Sequence, residues 1–512
     1  MKNKIIAGLL LGLSTSSHAA SSIIHVTGGR IIGTEHNGIT AFKGIPYAAP
    51  PVGELRWQAP HPVKPWRGIL QATNYGNDCL QQPFPGDAAP LGVGLSEDCL
   101  TINVWKPTKA QGKLPVMVWI YGGGFVNGGS SPAVYAGDQF AKNGVVFVSF
   151  NYRVGRFGFF AHPSLANQKL RGNYALMDQI AALKWVQQNI QKFNGDPQNV
   201  TLFGESAGGY SVNSLLLTDL TTGLFQKAII QSGSGRHNMV PNQTWQQAEK
   251  AGIAFANKHH IQGTDADALA ALRKIPANEV VDGLNMATMR TADYSGPMID
   301  GRIITNEPLV LYREGKFHKV PLIIGANEAD LGFAPKVETV EQALSVFPPN
   351  LQSKARQAYN NLSAQAVAQA IASDAFMVEP ARYMARVWSQ YQVPVWQYRF
   401  GYVATSVAEQ MRAAAHATEI PYIFNTLKAR YGSNVTIKDQ AVADQMQQYW
   451  VNFARTGNPD HPTSSAPKWS TYSTPKDNIL IVPTTGAHHI QEQADPWRDR
   501  LDVVEGLVNL EQ

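Results

Sequence analysis

The chain has 512 residues, 44% of them hydrophobic and 16% charged, with a formal net charge of +5. That composition supports a large folded core and excludes a disordered or fibrous chain. The charge is small for this length and no Lys/Arg-rich run occurs, which excludes nucleic acid as a partner. Lys2 and Lys4 precede an apolar stretch from Ile5 to Leu13, and Ser17 and Ala19 supply small residues at a cleavage site. Residues 1–19 therefore read as a secretory signal peptide cut after Ala19, which predicts a secreted or periplasmic protein. The stretch is too short for a membrane span and no later run approaches twenty apolar residues, so no stable membrane insertion is expected. Cys79 and Cys99 are the only cysteines. Export makes a disulfide between them the expected state, with two buried thiols as the alternative. The chain has no His-Glu-x-x-His or Cys-x-x-Cys, so no metal is expected.

Short apolar runs then recur, each ending in small or polar residues. Val116 to Tyr121 leads into Gly122-Gly123-Gly124, and Val145 to Phe150 leads into Asn151-Tyr152-Arg153. Leu176, Ile180, Leu183, Val186, Ile190 and Phe193 keep one apolar face at helical spacing. Val200 to Phe203 reads as a buried strand, and the residues from Ala207 through Leu217 as the helix that follows. Lys227 to Gln231, Pro321 to Ile324 and Val393 to Phe400 are later strands. Strands alternating with helices predict a mostly parallel sheet covered on both faces. Segments 242–289 and 345–385 are rich in Ala and polar residues and read as helical excursions over that sheet. Residues 20–512 carry no Ser/Gly linker or internal repeat, which predicts one domain.

Gly204-Glu205-Ser206-Ala207-Gly208 stands between the strand and the helix. Gly-x-Ser-x-Gly in that place can lift a serine onto a tight, strained turn and expose its hydroxyl. A hydroxyl needs a base to take its proton and a third group to orient the base. An acid at the end of a later strand would serve, and the segment after Pro321 offers Glu328 and Asp330. The base must come later still, from His416, His461, His488 or His489. His416, ahead of Glu419-Ile420-Pro421, is the best placed. Donors for a developing oxyanion are expected at Ala207 N–H and in the Gly122–Gly124 turn, where glycine allows close backbone approach. Those glycines lack the spacing of a phosphate-cradling loop.

Taken together, these residues resemble the type-B carboxylesterases, the branch of the α/β-hydrolase fold that includes cholinesterases and bacterial para-nitrobenzyl esterases. Three segments carry the resemblance: Phe42 to Arg56, Ser96 to Val104, and Phe203 to Gly209. It implies an α/β-hydrolase fold with a large, mostly parallel sheet and helices over the active site. It further implies Ser206 as nucleophile, His416 as general base, and Gly123, Gly124 and Ala207 as the oxyanion hole. The family acid falls at Asp330, where the family usually has Glu followed by Gly; Leu331 follows here, and Glu328 is the fallback. Glu205 and Ser232 match groups that lie behind the histidine and the acid. Arg56 with Glu97, and Arg153 with Asp178, match structural ion pairs, and Cys79 and Cys99 match a family disulfide loop. That loop has Phe84 as its sole aromatic residue and lacks the choline-binding tryptophan of cholinesterases.

The implied function is a secreted carboxylic-ester hydrolase working through an acyl-enzyme on a small-molecule or polymeric ester, with no cofactor. A related acyl hydrolase (a polyester hydrolase, lipase or amidase) shares the same chemistry. A non-catalytic cholinesterase-like binding protein on this fold would lack part of the constellation.

Overall fold

The structure is a computed structural model that describes residues 19–20, 22–233, 235–239, 241–289, 294, 296–331, 333–460 and 466–508. Apart from Ala19, the expected signal peptide lies outside the described residues, as does His461.

Twelve strands form the main sheet: β1 (Ala19–Ala20), β2 (Thr34–His36), β3 (Ile39–Pro46), β4 (Thr101–Pro107), β5 (Leu114–Ile120), β6 (Val146–Phe150), β7 (Gly195–Glu205), β8 (Lys227–Gln231), β9 (Leu322–Asn327), β10 (Val395–Phe400), β11 (Asn478–Val482) and β12 (Gln491–Ala494). Their spatial order is β1-β2-β3-β4-β6-β5-β7-β8-β9-β10-β11-β12. Neighbours from β6 through β11 pair parallel, while the flanking pairs are antiparallel. The parallel strands are continuous apolar runs because helices cover both faces; every residue of β6, β8, β9 and β10 is buried.

The chain steps from β5 to β6 on one side, then returns to β7 on the other side of β5. A crevice opens where the winding reverses, outside the carboxyl ends of the strands. Register aligns those ends: Ile120 pairs with Gly204, Glu205 with Gln231, Gln231 with Gly325 and Asn327 with Phe400. The residues after β5, β7, β8 and β9 therefore converge on one edge.

β8 spans the residues that its apolar run predicts. β7 is longer than Val200 to Phe203, because its first residues pair with β5 across an irregularity between Leu114 and Val116. The helix before it spans Tyr174–Asn189, and Ile190–Phe193 tightens into a 3₁₀ turn. Asn194 ends that turn in the left-handed region, at φ 65°, which asparagine tolerates better than most residues. Segment 242–289 carries helices Trp245–Lys258, Ala266–Arg273 and Ala277–Val281.

A second helical layer comprises Val340–Leu344, Pro349–Ala358, Ala364–Ser373, a π-helical turn at Asp374–Val378, Glu379–Gln390 and the late helix Arg498–Val508. Its own apolar cluster includes Leu344, Phe347, Tyr359, Ile371, Val504 and Val508. Beneath the crevice, Phe203 of β7 packs against the rings of Trp119, Phe140 and Phe424 at 4.8 to 5.9 Å. That contact set fixes the strand immediately before the serine turn.

Cys79 and Cys99 are joined by a disulfide. Arg56–Glu97 and Arg153–Asp178 are ion pairs, each at 2.7 Å, and the second is fully buried. Among the described residues no helix is long and apolar enough to cross a membrane.

Candidate active site

The turn between β7 and the helix Ala207–Leu216 holds Ser206 at φ 54° and ψ −124°, a region that side-chain-bearing residues rarely occupy. Two hydrogen bonds pin it: Ser206 N–H donates to Gln231 O at 3.0 Å, and Tyr210 N–H donates to Ser206 O at 2.9 Å. The glycines on either side are required by contact. A Cβ on Gly204 would stand 2.5 Å from the Gly208 backbone, and one on Gly208 would stand 2.0 Å from Ile120 O. Strand and helix approach this closely only because neither position has a side chain.

The acid arrives on the loop after β9. Asp330 is fully buried, and its Oδ2 accepts from Ser232 Oγ at 2.6 Å and from Asn327 N–H at 2.9 Å. The histidine arrives on a loop that is tied to the acid loop by a β-bridge between Ala329 and Ala415. Ala329 N–H donates to Ala414 O, and Asn327 Nδ2 donates to Ala415 O at 2.7 Å. With both loops set, His416 Nδ1 lies 2.5 Å from Asp330 Oδ1 and Nε2 lies 2.8 Å from Ser206 Oγ. Since the carboxylate can only accept, Nδ1 carries the proton, and Nε2 is left to accept from the serine hydroxyl. Glu328 is not part of this line; its carboxylate sits against Gly401, toward Arg399 and Arg500.

Opposite the serine, the turn after β5 places Gly122 so close that a Cβ there would stand 2.9 Å from Ser206 Cβ and 2.7 Å from Glu205 Oε2. Gly123 and Gly124 have φ of 109° and 62°, which favour glycine. Among the described residues the N–H groups of Gly123, Gly124 and Ala207 find no acceptor, so the site presents three free donors.

Sequence reasoning did not find Glu419, Gln231 and Asn327, which line the buried side of the hydrogen-bonded line Ser206–His416–Asp330. Glu419 is fully buried and accepts from Gln231 Nε2 at 3.0 Å and from Asn327 Nδ2 at 2.7 Å. Their signal was positional: Gln231 and Asn327 end β8 and β9, and Glu419 stands three residues after His416. Three carboxyl groups thus surround one imidazole. Burial by itself would lower the His416 pKa, but Glu205, the Asp330 hydrogen bond and charge, and Glu419 outweigh it and raise the pKa. Burial drives the Glu205 carboxyl well above its ordinary range, with the Glu419 and Asp330 charges adding to the shift and His416 opposing it. The arrangement is suited to an imidazole that must take and hold a proton for one step.

Residues 20–496 match the carboxylesterase family. The chain belongs to the carboxylesterase family. It is 36% identical over 473 residues to the para-nitrobenzyl esterase of Bacillus subtilis (strain 168), covering 89% of this chain and 93% of that protein. It is 34% identical over 468 residues to the fumonisin B1 esterase of Sphingopyxis macrogoltabida, covering 86% and 83%. Two solved structures of PNB esterase superpose with TM-scores of 0.82 and 0.79 at 32% and 33% identity, each over 94% of this chain and 99% of the other. The fold is the α/β-hydrolase fold, and the protein is a carboxylesterase acting on ester substrates. Among the described residues no three His, Cys, Asp or Glu side chains converge as a metal-holding group. Phe125, Trp245 and Tyr294 are buried in the core, Phe333 is exposed, and Tyr210 borders a cavity.

Proposed function

We propose that this carboxylesterase is a serine hydrolase whose triad is Ser206, His416 and Asp330, and that it works outside the cytoplasm as one catalytic domain. The observation that carries this reading is the unbroken hydrogen-bonded line from Ser206 Oγ through His416 to Asp330. Ser206 Oγ attacks the ester carbonyl carbon while its proton passes to His416 Nε2. The carbonyl oxygen gains negative charge and accepts hydrogen bonds from the N–H groups of Gly123, Gly124 and Ala207. As the tetrahedral intermediate collapses, the C–O bond to the alcohol breaks, and His416 returns the proton to that oxygen. A water then attacks the acyl-serine with His416 again as base, releasing the acid and restoring Ser206. Asp330 keeps the imidazole in the tautomer this needs and stabilises the imidazolium. Ser232 holds the acid by donating to Asp330 Oδ2, and the Glu205 carboxyl lies against the base at Nε2.

Export is supported by the basic and apolar N-terminal residues and by the Cys79–Cys99 disulfide, which persists in oxidising compartments. The deciding experiment is Ser206→Ala. It should keep the fold and lose essentially all turnover of p-nitrophenyl acetate, and it should no longer take a fluorophosphonate label. Retained turnover would refute the assignment.

A further inference from the structure

Two thioethers, from Met286 and Met289, lie against Gly124 in the turn that faces Ser206. A Cβ placed on Gly124 would stand 2.9 Å from Met289 Sδ and 3.3 Å from its Cε, with Met286 Cγ next at 3.6 Å. The Met289 sulfur thus occupies the space that a side chain at position 124 would fill. The segment that carries both methionines is fastened to the turn. Met286 N–H donates to Asn127 Oδ1 at 3.0 Å, and both side chains pack on the apolar cluster of Val126, Leu284 and Tyr294. Between them the chain closes on itself: Asn285 N–H donates to Thr288 Oγ1 at 2.9 Å and Ala287 N–H to Asn285 Oδ1 at 2.8 Å.

The sulfur chemistry of the chain converges on this contact. Its only cysteines are joined in the disulfide, so a two-electron oxidant meets no free thiol. Among the described methionines only Met239, Met286, Met289 and Met411 are partly exposed; the others are buried. Met289 is therefore both within reach of solvent and seated on a glycine whose N–H finds no acceptor among the described residues. A thioether is a weak acceptor that packs as an apolar group, whereas a sulfoxide is polar and carries an acceptor oxygen. Placed beside a free donor, that oxygen competes for it with the carbonyl oxygen of the substrate. The turn has little room to move aside, since Gly123 O already accepts from Val126 N–H at 3.1 Å and Asn127 N–H at 2.9 Å.

We propose that Met289 is a modification site, oxidised by peroxides to a sulfoxide that disables the donors opposite Ser206. The sulfur lone pair attacks one peroxide oxygen, and the S–O bond forms as the O–O bond breaks. The released hydroxide takes the remaining proton and leaves as water; sulfur loses two electrons and the peroxide gains them. Ser206, His416 and Asp330 are untouched, so reduction of the sulfoxide restores the site. The inference rests on the oxyanion-hole reading above.

The test treats wild type, Met289→Leu and Met286→Leu with hydrogen peroxide and maps sulfoxides by peptide mass spectrometry. Each protein's kcat for p-nitrophenyl acetate is compared with its own untreated value. The wild type should lose about tenfold or more in kcat in step with Met289 oxidation, with KM changed less than about threefold, as for loss of an oxyanion donor. Methionine sulfoxide reductases acting on both epimers should restore it. Met286→Leu should lose activity as the wild type does, and Met289→Leu should keep its own untreated rate. Met289→Gln, which carries a permanent acceptor oxygen, should be slow before any peroxide is added. Met289 sulfoxide with kcat retained would overturn the proposal. So would a Met289 that stays reduced while Met411 is oxidised, or protection by Met286→Leu in place of Met289→Leu. Ser206→Ala separates this failure from that of the serine reading. If turnover depends on Ser206 and survives Met289 oxidation, only the modification site falls; if turnover survives Ser206→Ala, the serine reading itself falls.

Discussion

Glu205 Oε1 lies 3.3 Å from His416 Nε2, the same ring nitrogen that stands 2.8 Å from Ser206 Oγ. A buried carboxyl therefore faces the atom that gains a proton in the proposed mechanism. It favours imidazolium over imidazole, which stabilises the charge that forms in the transition state but also raises the pH at which the base becomes free.

The sign of the Glu205→Gln effect follows from that contact. Only neutral His416 can act as base, and Glu205 is the foremost of the carboxyl groups that raise its pKa against burial. Removing the charge lowers that pKa, so the acid limb of the kcat/KM profile should move to lower pH. On the alkaline plateau kcat should fall about tenfold, or ~1.4 kcal/mol, because the imidazolium loses a partner. An acid limb that stays in place would mean that Glu205 is protonated throughout and has no electrostatic role.

Asp330→Asn and Glu328→Gln should differ sharply. The first leaves an amide between His416 Nδ1, Ser232 Oγ and Asn327 N–H, where the carboxylate now accepts from all three. An amide cannot accept at both ends, so the imidazole loses its orientation, and kcat should drop by roughly 10³ to 10⁴. Glu328 borders Gly401 and lies toward Arg399 and Arg500, away from the triad, so Glu328→Gln should change kcat less than threefold. Stopped-time assays with p-nitrophenyl acetate measure both, and a larger loss in Glu328→Gln would reverse the assignment of the acid.

Much of this geometry was legible locally. The strand, tight turn and helix around Ser206 follow from an apolar run, small residues and a second apolar run within twenty positions. The Gly122–Gly124 turn follows from the strand before it. The acid and the base were different, because Asp330 and His416 are 86 residues apart and meet through a single bridge between Ala329 and Ala415. No periodicity encodes such a contact; chain order pointed to His416 and left Glu328 and Asp330 open, and the family resemblance selected Asp330. Glu419, Gln231 and Asn327 escaped for a related reason: their hydrogen bonds link three segments that become neighbours only when β8 and β9 pair. The twelve-strand extent of the sheet was hidden too, since strands such as Thr34–His36 are too short and polar to stand out.

Gly208→Ala tests the packing that makes the turn possible. The added methyl would meet Ile120 O at 2.0 Å and Tyr121 O at 2.8 Å, which are backbone atoms of β5 and its continuation. Those atoms cannot move without breaking the register with β7. Destabilisation should exceed about 4 kcal/mol, at the upper end for a single substitution. The expected result is little soluble protein, and no esterase activity in what remains. Wild-type melting behaviour in this variant would show that the elbow can relax, contrary to the contacts.

Removal of the disulfide by Cys79→Ser with Cys99→Ser should affect both stability and turnover. The bridge spans a sequence separation of 20 residues, which corresponds to about 3 kcal/mol on the chain-entropy model. The functional effect is indirect. Gln81, two residues from Cys79, accepts from Gly128 N–H at 2.8 Å and from Asn127 Nδ2 at 3.2 Å, and donates to Gly128 O at 2.7 Å. Asn127 in turn braces the glycine turn, since Asn127 N–H donates to Gly123 O at 2.9 Å. Loosening the loop therefore loosens the donors opposite Ser206, and kcat should fall several-fold while the triad hydrogen bonds persist. Denaturant melts and acetate kinetics on the double variant separate the two effects. A stability loss with unchanged kcat would show that the glycine turn holds its shape without the loop.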